Sequence, residues 1–318
     1  MHETVSKLSF REIIGQHRTL WKARQLGEPL AFSRRSCRLP LPAIPMVSWA
    51  MFRRKRRKND RLDFIITGAQ KSGTTALHYF LSKHPGISMG DQQEIHFFDN
   101  EEIFAGPIDY EVLHQHYPPA ATAKLGSPRR PPAREAIAGD CTPIYLYWKP
   151  AMERIWKYNP QIKLIVLLRN PAERAFAHWN MQRFKGREPL DFLDALKAEK
   201  KRAEEAAPLQ SRRYSYVDRG FYAEQLERVF KFFPRDQVKI IKAEEFRGNN
   251  QQTLDSVFRF LGVRPIAIRQ SKDRNVVPYE RKMTRPERNY LSEIFAGEIE
   301  KVEELLGWGC ADWKNSDG

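Results

Sequence analysis

The segment Leu62–Thr75, which reads LDFIITGAQKSGTT, indicates the fold class of this chain. Its first six residues are mostly apolar or β-branched, as in a short buried strand. The next six residues form a glycine-bounded loop, Gly68–Gly73. An apolar spacing of i, i+3, i+4 then predicts a helix with Leu77, Phe80 and Leu81 on one face. A strand, a glycine-bounded loop and a helix in this order are typical of a phosphate-binding loop in an α/β protein.

The rest of the chain alternates between predicted strands and predicted helices. Ile162–Leu168 is apolar at all but one position, as in a parallel strand that is covered on both faces, and Val238–Ile241 is a further strand. Helices are predicted from Pro171, over Phe192–Ala207 as a charged surface element, and over Arg285–Leu306. The predicted fold class is therefore α/β, with a P-loop-type, mostly parallel β-sheet flanked by helices.

Length and composition exclude several classes of protein. The chain has 318 residues, 41% of them hydrophobic, which is enough for a globular core and excludes wholesale disorder. No stretch approaches the roughly 20 consecutive apolar residues of a membrane-spanning helix. The cysteines Cys37, Cys141 and Cys310 are odd in number and widely spaced, so they predict neither a disulfide framework nor a metal cluster. A reducing, cytoplasmic location is expected.

The basic residues are concentrated near the start of the chain. Residues 1–60 hold 14 Lys and Arg against 4 Asp and Glu, with a peak at Arg53–Lys58, whereas residues 61–318 hold 40 against 35. We interpret residues 1–60 as a basic, poorly structured N-terminal extension and residues 61–318 as one catalytic domain. The basic run predicts at most a weak contact with an anionic surface. No nucleic-acid-binding motif accompanies it, so no specific nucleic acid is expected as a partner.

The loop Gly68–Gly73 differs from the nucleoside-triphosphatase pattern at one decisive position. In that pattern a lysine follows the second glycine, whereas here Thr74 does, and Lys71 lies inside the loop instead. The backbone N–H groups at the helix start and the charge of Lys71 still predict an anion site. This arrangement suits a nucleotide whose 5′ end is held without a metal ion. A P-loop nucleoside-triphosphate kinase, which would need magnesium, is the alternative.

Several motifs in order resemble the sulfotransferases that use 3′-phosphoadenosine 5′-phosphosulfate (PAPS). The motifs are Lys71–Leu77, Glu94–Asp99, Gly139–Tyr145, Arg169–Phe176 and Gly220–Tyr222. Lys71–Leu77 resembles the family's 5′-phosphosulfate loop, and Arg169–Phe176 resembles its 3′-phosphate segment. Glu94–Asp99, which reads EIHFFD, is similar to the catalytic segment of the heparan sulfate 3-O- and N-sulfotransferase domains and their bacterial relatives. The resemblance covers about residues 61–313 and implies the sulfotransferase fold.

For the donor, the resemblance implies PAPS as co-substrate, no metal ion and a set of nucleotide contacts. The implied 5′ contacts are Lys71, Ser72, Gly73, Thr74 and Thr75. Lys71 would also stabilise charge on the oxygen that bridges phosphate and sulfate. Arg169 would bind the 3′-phosphate, and Lys272 and Arg274 would belong to a basic loop that closes over the nucleotide. Many members have a serine eight residues after the motif's arginine, but this chain has Ala177, so the hydroxyl contact is either lost or supplied by a neighbour.

For the acceptor, the resemblance implies in-line transfer of a sulfuryl group to a hydroxyl or an amine, with Glu94 as general base. Phe97 and Phe98 are expected to desolvate its carboxylate. His96 and Asp99 would position the acceptor and the base, or form a structural pair with each other. The motif favours a carbohydrate, either a glycan or a glycosylated small molecule. A lipid, peptide or phenolic acceptor and an inactive nucleotide-binding protein are the remaining alternatives.

Overall fold

The chain is described here by a computed structural model. The described residues fall in three ranges: 61–117, 136–268 and 278–314. The extension predicted over residues 1–60 and the predicted nucleotide contacts Lys272 and Arg274 lie outside these ranges. Within them, no helix is both long and apolar enough to cross a membrane. The same ranges contain no cluster of three or more side chains that could hold a metal ion.

A five-stranded sheet forms the centre of the fold. Its strands are β1 (Phe64–Gly68), β2 (Ile87–Met89), β3 (Ile137–Cys141), β4 (Lys163–Leu168) and β5 (Val238–Lys242). They lie in the order β2-β3-β1-β4-β5, and every neighbouring pair is parallel. The predicted α/β fold with a mostly parallel sheet is confirmed. Because the strands all run the same way, their carboxyl ends meet at one edge, where parallel sheets bind ligands.

Helices surround this sheet. In the described ranges the α-helices are α1 (Thr74–Leu81), α2 (Glu111–His114), α3 (Ala151–Tyr158), α4 (Pro171–Phe184), α5 (Phe192–Ala206), α6 (Tyr222–Phe232), α7 (Ala243–Gly248), α8 (Asn250–Leu261), α9 (Arg285–Leu306) and α10 (Ala311–Lys314). The predicted starts of α4 and α5 are confirmed, and both ends of α9 agree with the prediction. Asn170 caps α4 by accepting the backbone N–H groups of Ala172 and Glu173.

Two apolar cores pack against the sheet. Leu164 and Val166 of β4 belong to the larger core, whereas Ile165 and Leu167 belong to the smaller core. This division follows from the alternation of side chains along a strand. The larger core includes residues of α3, α4, α5, α6 and α9, and the smaller core includes residues of α1 and α8. Burial on both faces explains why β4 is almost continuously apolar.

Two strands, β2 and β3, were not predicted from the sequence. The first has only three residues, and the second reads IAGDC, without a clear apolar pattern. Gly139 in β3 is required by packing, because a Cβ atom there would lie 2.0 Å from the Phe64 ring of β1. Asp140 follows it and is fully buried, with one oxygen accepting from the Thr142 hydroxyl at 3.0 Å. The motif Gly139–Tyr145, which resembles the sulfotransferase family, therefore begins inside an internal strand of the sheet.

Candidate active site

The loop Gly68–Gly73 connects β1 to α1 at the carboxyl edge of the sheet. Lys71 has a φ of 72° and Gly73 a φ of 98°, both in the left-handed region. Glycine adopts this conformation without strain, but a lysine does so only where the surrounding structure holds it. Helix α1 begins at Thr74 with no side-chain cap and no acidic residue in its first turn. Its first N–H groups and the positive end of the helix dipole are therefore directed at any anion bound in the loop.

Lys71 lies in a group of positive charges. Burial lowers the pKa of Lys71, and the nearby charges of Arg169 and Lys185 lower it further, while Glu94 has the opposite effect. Arg169, at the end of β4, donates to the backbone oxygen of Lys71 at 3.4 Å and to the carboxylate of Glu173 at 3.4 Å. Cations that repel one another in this way favour binding of an anion with more than one charge. The sequence did not identify Lys185 as part of this group.

Two buried polar atoms in the predicted phosphate contacts lack partners. The Ser72 hydroxyl and the Nε of Arg169 have no hydrogen-bond partner among the described residues. Buried donors are almost always paired, so each of these atoms indicates a missing ligand or water. Both can donate to phosphate oxygens, and the residues present therefore fit a nucleotide phosphate. The Thr75 hydroxyl accepts from the Gln93 amide at 3.2 Å, and its own O–H can still donate to a phosphate oxygen.

Helix α4 carries Arg174, Ala177 and His178 on its buried side. Arg174 donates to the backbone oxygen of Tyr216, but its Nε and Nη1 have no partner among the described residues. Burial lowers the pKa of His178 well below its ordinary value, and the charges of Arg219 and Arg174 lower it further. The ring is therefore neutral, and its Nδ1 also lacks a partner in the described ranges. Ala177 is 3% exposed, and its predicted place beside the 3′-phosphate stays a prediction.

The segment that carries Glu94 is held in an unusual backbone conformation. Glu94 has a φ of 58° and His96 a φ of 57°, values that favour glycine. Such strain in residues with side chains is concentrated at functional sites. The backbone N–H of Glu94 donates to the carbonyl of Cys141 at the end of β3, at 3.1 Å. This bond holds Glu94 at the carboxyl edge of the sheet, within electrostatic reach of Lys71.

The two phenylalanines after His96 anchor this segment. Phe97 and Phe98 are almost completely buried, and the hydroxyl of Tyr145 accepts the backbone N–H of Phe97 at 3.0 Å. Their rings pack against one another and against core aromatics. The side chain of Glu94 remains 37% exposed. The expectation that these rings desolvate Glu94 is therefore wrong, because both point into the core.

His96 lies between two carboxylates. Its Nδ1 is 3.0 Å from Asp99 Oδ2, and its Nε2 is 3.6 Å from Glu94 Oε2. Hydrogen bonds to Asp99 and to Glu94 raise the pKa of His96 to about 9, so the ring is an imidazolium at neutral pH. Both predicted roles are compatible with this geometry: His96 is paired with Asp99 and also faces Glu94. Burial raises the pKa of Asp99, but hydrogen bonds from His96 and Arg212 lower it overall.

Two arginines that the sequence did not identify link Asp99 to the loop Gly68–Gly73. Arg212 donates to the carboxylate and to the backbone oxygen of Asp99. Arg219 is buried and donates to Gln70 in the phosphate loop and to the backbone oxygen of Arg212, each at 2.8 Å. The nearest signal in the sequence was the motif Gly220–Tyr222, which directly follows Arg219.

Glu199 of α5 holds the segment that carries these arginines. Its carboxylate accepts the backbone N–H groups of Tyr216, Val217 and Asp218, each at 2.8 Å. Burial raises the pKa of Glu199 to about 7, although these bonds lower it. The charged helix expected on the surface therefore has a buried face, and one of its charges organises the site.

A pocket of about 360 Å³ opens beside His96. It is lined by His96, Asp99, Asn100, Glu101, Glu102, Trp148, Leu209 and Arg212. Trp148 is only 1% exposed, and the guanidinium of Arg212 lies 4.2 Å from the centre of its ring. The indole therefore offers no free face for stacking on a sugar. The site as a whole can hold an anion at the loop and a second molecule in this pocket, with Glu94 between them.

The chain matches one protein-family model and is similar in sequence to several known proteins. The sulfotransferase domain family matches residues 61–277. The chain is 29% identical over 221 residues to the human bifunctional heparan sulfate N-deacetylase/N-sulfotransferase 2, a match that covers 66% of this chain and 23% of that protein. It is 30% identical over 203 residues to the mouse heparan sulfate glucosamine 3-O-sulfotransferase 5, covering 63% and 53% respectively. The chain thus spans between about a quarter and a half of the length of these relatives.

The fold is also similar to that of a solved bacterial enzyme. The crystal structure of a sulfotransferase from Alicyclobacillus acidocaldarius aligns with a TM-score of 0.65 and 27% sequence identity. The alignment covers 80% of this chain and 99% of the bacterial one. The family resemblance inferred from the motifs is confirmed: this chain belongs to the sulfotransferase domain family.

Proposed function

We propose that this protein is a sulfotransferase that uses PAPS to sulfate a hydroxyl group, with Glu94 as general base. One observation supports this most directly: two separate loops bring Lys71 and Glu94 within electrostatic reach of each other at the carboxyl edge of the sheet. A cation on the donor side and a carboxylate on the acceptor side are what in-line sulfuryl transfer requires. PAPS, when bound, supplies the sulfuryl group.

On the donor side, the chain's own residues bind and orient the nucleotide. The N-terminus of α1 and Ser72 hold the 5′-phosphate, and Arg169 holds the 3′-phosphate. Lys71 stabilises the negative charge that develops on the bridging oxygen as the sulfuryl group leaves. Burial and the neighbouring cations lower the pKa of Lys71, and a bound anion is expected to shift this pKa back toward its ordinary value. Binding of the donor therefore favours the ammonium form of Lys71, which this role needs.

On the acceptor side, Glu94 accepts the proton of the attacking hydroxyl. The imidazolium of His96 faces Glu94 and fixes its orientation, while Asp99 holds the other nitrogen of the ring. Asp99 is in turn held by Arg212. His96, Asp99 and Arg212 are thus positioning residues in our proposal, and Glu94 is the catalytic base.

We propose a carbohydrate acceptor, either a glycan or a glycosylated small molecule. The EIHFFD motif supports it, together with the two relatives above, whose names specify heparan sulfate or its glucosamine. The alternative of a P-loop kinase lacks the lysine that should follow the second glycine. Independence from metal ions, a cytoplasmic location and a weak anionic contact through residues 1–60 stay predictions.

The proposed function is tested by transfer from labelled PAPS. The full chain is incubated with panels of carbohydrates, lipids and phenols, with and without EDTA, and with labelled ATP as the control donor. We expect labelled sulfate on a carbohydrate and no loss of rate in EDTA. Phosphoryl transfer from ATP that depends on magnesium would establish the kinase alternative. PAPS binding without turnover on any acceptor would indicate an inactive binding protein.

A further inference from the structure

Arg219 lies between the phosphate loop and the segment that carries Arg212. Its side chain is 2% exposed, and each of its three side-chain nitrogens donates to a neutral oxygen atom. Nε donates to the Ser215 hydroxyl at 2.7 Å, Nη1 to the Gln70 amide oxygen at 2.8 Å, and Nη2 to the backbone oxygen of Arg212 at 2.8 Å. The guanidinium carbon also lies 4.6 Å from the centre of the Tyr147 ring. These contacts hold the guanidinium in one orientation.

Burial of this charged group is unfavourable by itself. It lowers the pKa of Arg219 to about 10, so the group is still charged at neutral pH. Hydrogen bonds to neutral oxygens offset the lost hydration of a buried charge but add little net stability. What these bonds provide is geometry, since a guanidinium presents its donors in a rigid, planar fork. Arg219 thus holds Gln70 and the backbone of Arg212 at a set distance from each other.

Arg212 extends this connection to the acceptor side. Its backbone oxygen accepts one of the bonds described above, and its own guanidinium donates to the carboxylate and the backbone oxygen of Asp99. Asp99 Oδ2 lies 3.0 Å from Nδ1 of His96, whose Nε2 lies 3.6 Å from Glu94 Oε2. A continuous series of polar contacts therefore joins Gln70 to Glu94.

The segment between the two arginines is held by bonds of its own. The Ser215 hydroxyl donates to the backbone oxygen of Ser211 at 2.8 Å, and the Ser211 hydroxyl accepts the backbone N–H of Tyr214 at 3.1 Å. Glu199 accepts the three successive backbone N–H groups that follow. Because these bonds cross-link the segment, a displacement at one arginine is passed to the other.

We propose that Arg219 is a positioning residue, which sets the distance between the loop that carries Lys71 and the carboxylate of Glu94. In-line transfer needs the donor and the base in a fixed alignment, and a misplacement of about 1 Å can lower the rate about a hundredfold. Loss of the bond between Gln70 and Arg219 should therefore slow turnover while the loop keeps its phosphate contacts. The inference rests on the proposed function, because it assigns Arg219 a role within that reaction.

The test uses Gln70→Met, because replacement of the buried Arg219 itself risks unfolding the chain. Methionine is about as long as glutamine but has no amide oxygen, so the bond to Arg219 is lost. Transfer from labelled PAPS by the full chain is measured at saturating donor and acceptor, with the acceptor that the panel above identifies. We expect kcat to fall about tenfold. The affinity for adenosine 3′,5′-bisphosphate, measured by calorimetric titration, should stay within about twofold, since the loop N–H groups still bind phosphate.

A double substitution tests whether these contacts act as one unit. Arg212→Ala breaks the same series of contacts at another point, so a second break should add little to the loss. In the Arg212→Ala background, we expect Gln70→Met to lower kcat at most about twofold. Arg213→Ala, at the exposed neighbouring arginine, is the matched control, and in that background Gln70→Met should keep its effect of about tenfold. A loss that came only from a less stable fold would not depend on the background in this way.

Two results would overturn the inference while PAPS-dependent transfer stands. Equal losses of kcat in the parent and in both arginine variants would show that the loop and the base act independently. An unchanged kcat for Gln70→Met, with or without weaker bisphosphate binding, would show that the bond to Arg219 does not align the reacting groups. Absence of PAPS turnover with every acceptor would instead overturn the proposed function, and the inference with it.

Discussion

The donor side and the acceptor side of this site are built in different ways. The donor side is local: the loop Gly68–Gly73 places backbone N–H groups and Lys71 within one strand–loop–helix unit, and Arg169 follows a neighbouring strand. The acceptor side depends on side chains from distant segments, with Asp99 held by Arg212. Cations dominate the first side, and acids balance or outnumber cations on the second. In the proposed function, phosphate binding therefore depends on backbone conformation, whereas acceptor chemistry depends on a side-chain network.

Substitution of Glu94, the proposed base, should produce the largest loss of activity and should leave nucleotide binding on the donor side unchanged. We expect Glu94→Gln to lower kcat about 10²- to 10⁴-fold, the usual range for a lost general base. The affinity for the product nucleotide, adenosine 3′,5′-bisphosphate, should not change, as measured by calorimetric titration. A variant that retains full activity at saturating acceptor would show that Glu94 is not the base, and weakened nucleotide binding would show that the two sides are not separable.

The next largest effect should come from the donor side. Lys71→Ala removes the charge beside the bridging oxygen, and we expect kcat to fall about 10²- to 10³-fold, as for other lost stabilisers of a developing negative charge. Unlike Glu94→Gln, this variant should also bind the bisphosphate more weakly. Stopped-flow transfer assays and the same titration measure both quantities. Unchanged nucleotide affinity would contradict the placement of Lys71 in the phosphate site.

The link between Arg212 and Asp99 should matter for both stability and turnover. Arg212→Ala leaves the buried carboxylate of Asp99 with one charged partner fewer, and such a bond contributes about 1.5–3 kcal/mol. We also expect kcat to fall roughly ten- to a hundredfold through misorientation of His96 and Glu94. Urea unfolding and steady-state kinetics measure the two effects. Arg213→Ala, at the exposed neighbouring arginine, is the control, and equal losses in both variants would argue against a specific role.

A smaller effect is expected from restoring the family's serine at Ala177. The new hydroxyl should donate to the 3′-phosphate, and a net gain of about 1 kcal/mol would tighten bisphosphate binding about fivefold. AMP, which lacks the 3′-phosphate, is the control ligand in the same titration. Equal tightening of both nucleotides would mean that position 177 does not recognise the 3′-phosphate. No change in either would mean that a neighbour already supplies the contact.

The smallest expected effect is a pH dependence of the free energy of unfolding, caused by His96 on the acceptor side. The pKa of His96 is raised from its ordinary value of 6.5 to about 9 by Asp99 and Glu94, so its ion pairs stabilise the fold fully below pH 6.5. This stabilisation is lost as the pH rises through 9. Because the side chain is 45% exposed, solvent screening limits the effect to at most about 1 kcal/mol. Urea unfolding of the parent and of His96→Gln should therefore show a difference at pH 6 that shrinks toward pH 10. A constant difference would contradict the ion pairs.

Elements with a strong local pattern were predictable from the sequence. The β1–loop–α1 unit, β4 and α9 each carry an apolar periodicity or a glycine-bounded turn within a few residues. The strands β2 and β3 were not predictable. Their short segments have no clear strand pattern, and pairing with neighbouring strands places them in the sheet. Gly139 illustrates this: its place in β3 depends on the Phe64 ring of β1.

Some residues of the candidate site were likewise predictable from the sequence, and others were not. The local pattern of the loop predicted Lys71 as an anion contact. The resemblance of their motifs to the sulfotransferase family predicted Glu94 and Arg169. The roles of all three residues stay predictions. Only the tertiary structure revealed Arg212 and Arg219, whose partners Asp99 and Gln70 lie 113 and 149 residues away in the chain. The tertiary structure also shows that the ring of Phe97 packs in the core. A backbone turn depends on the conformational preferences of a few adjacent residues, but a side chain's partner depends on how distant segments pack, which no local pattern records.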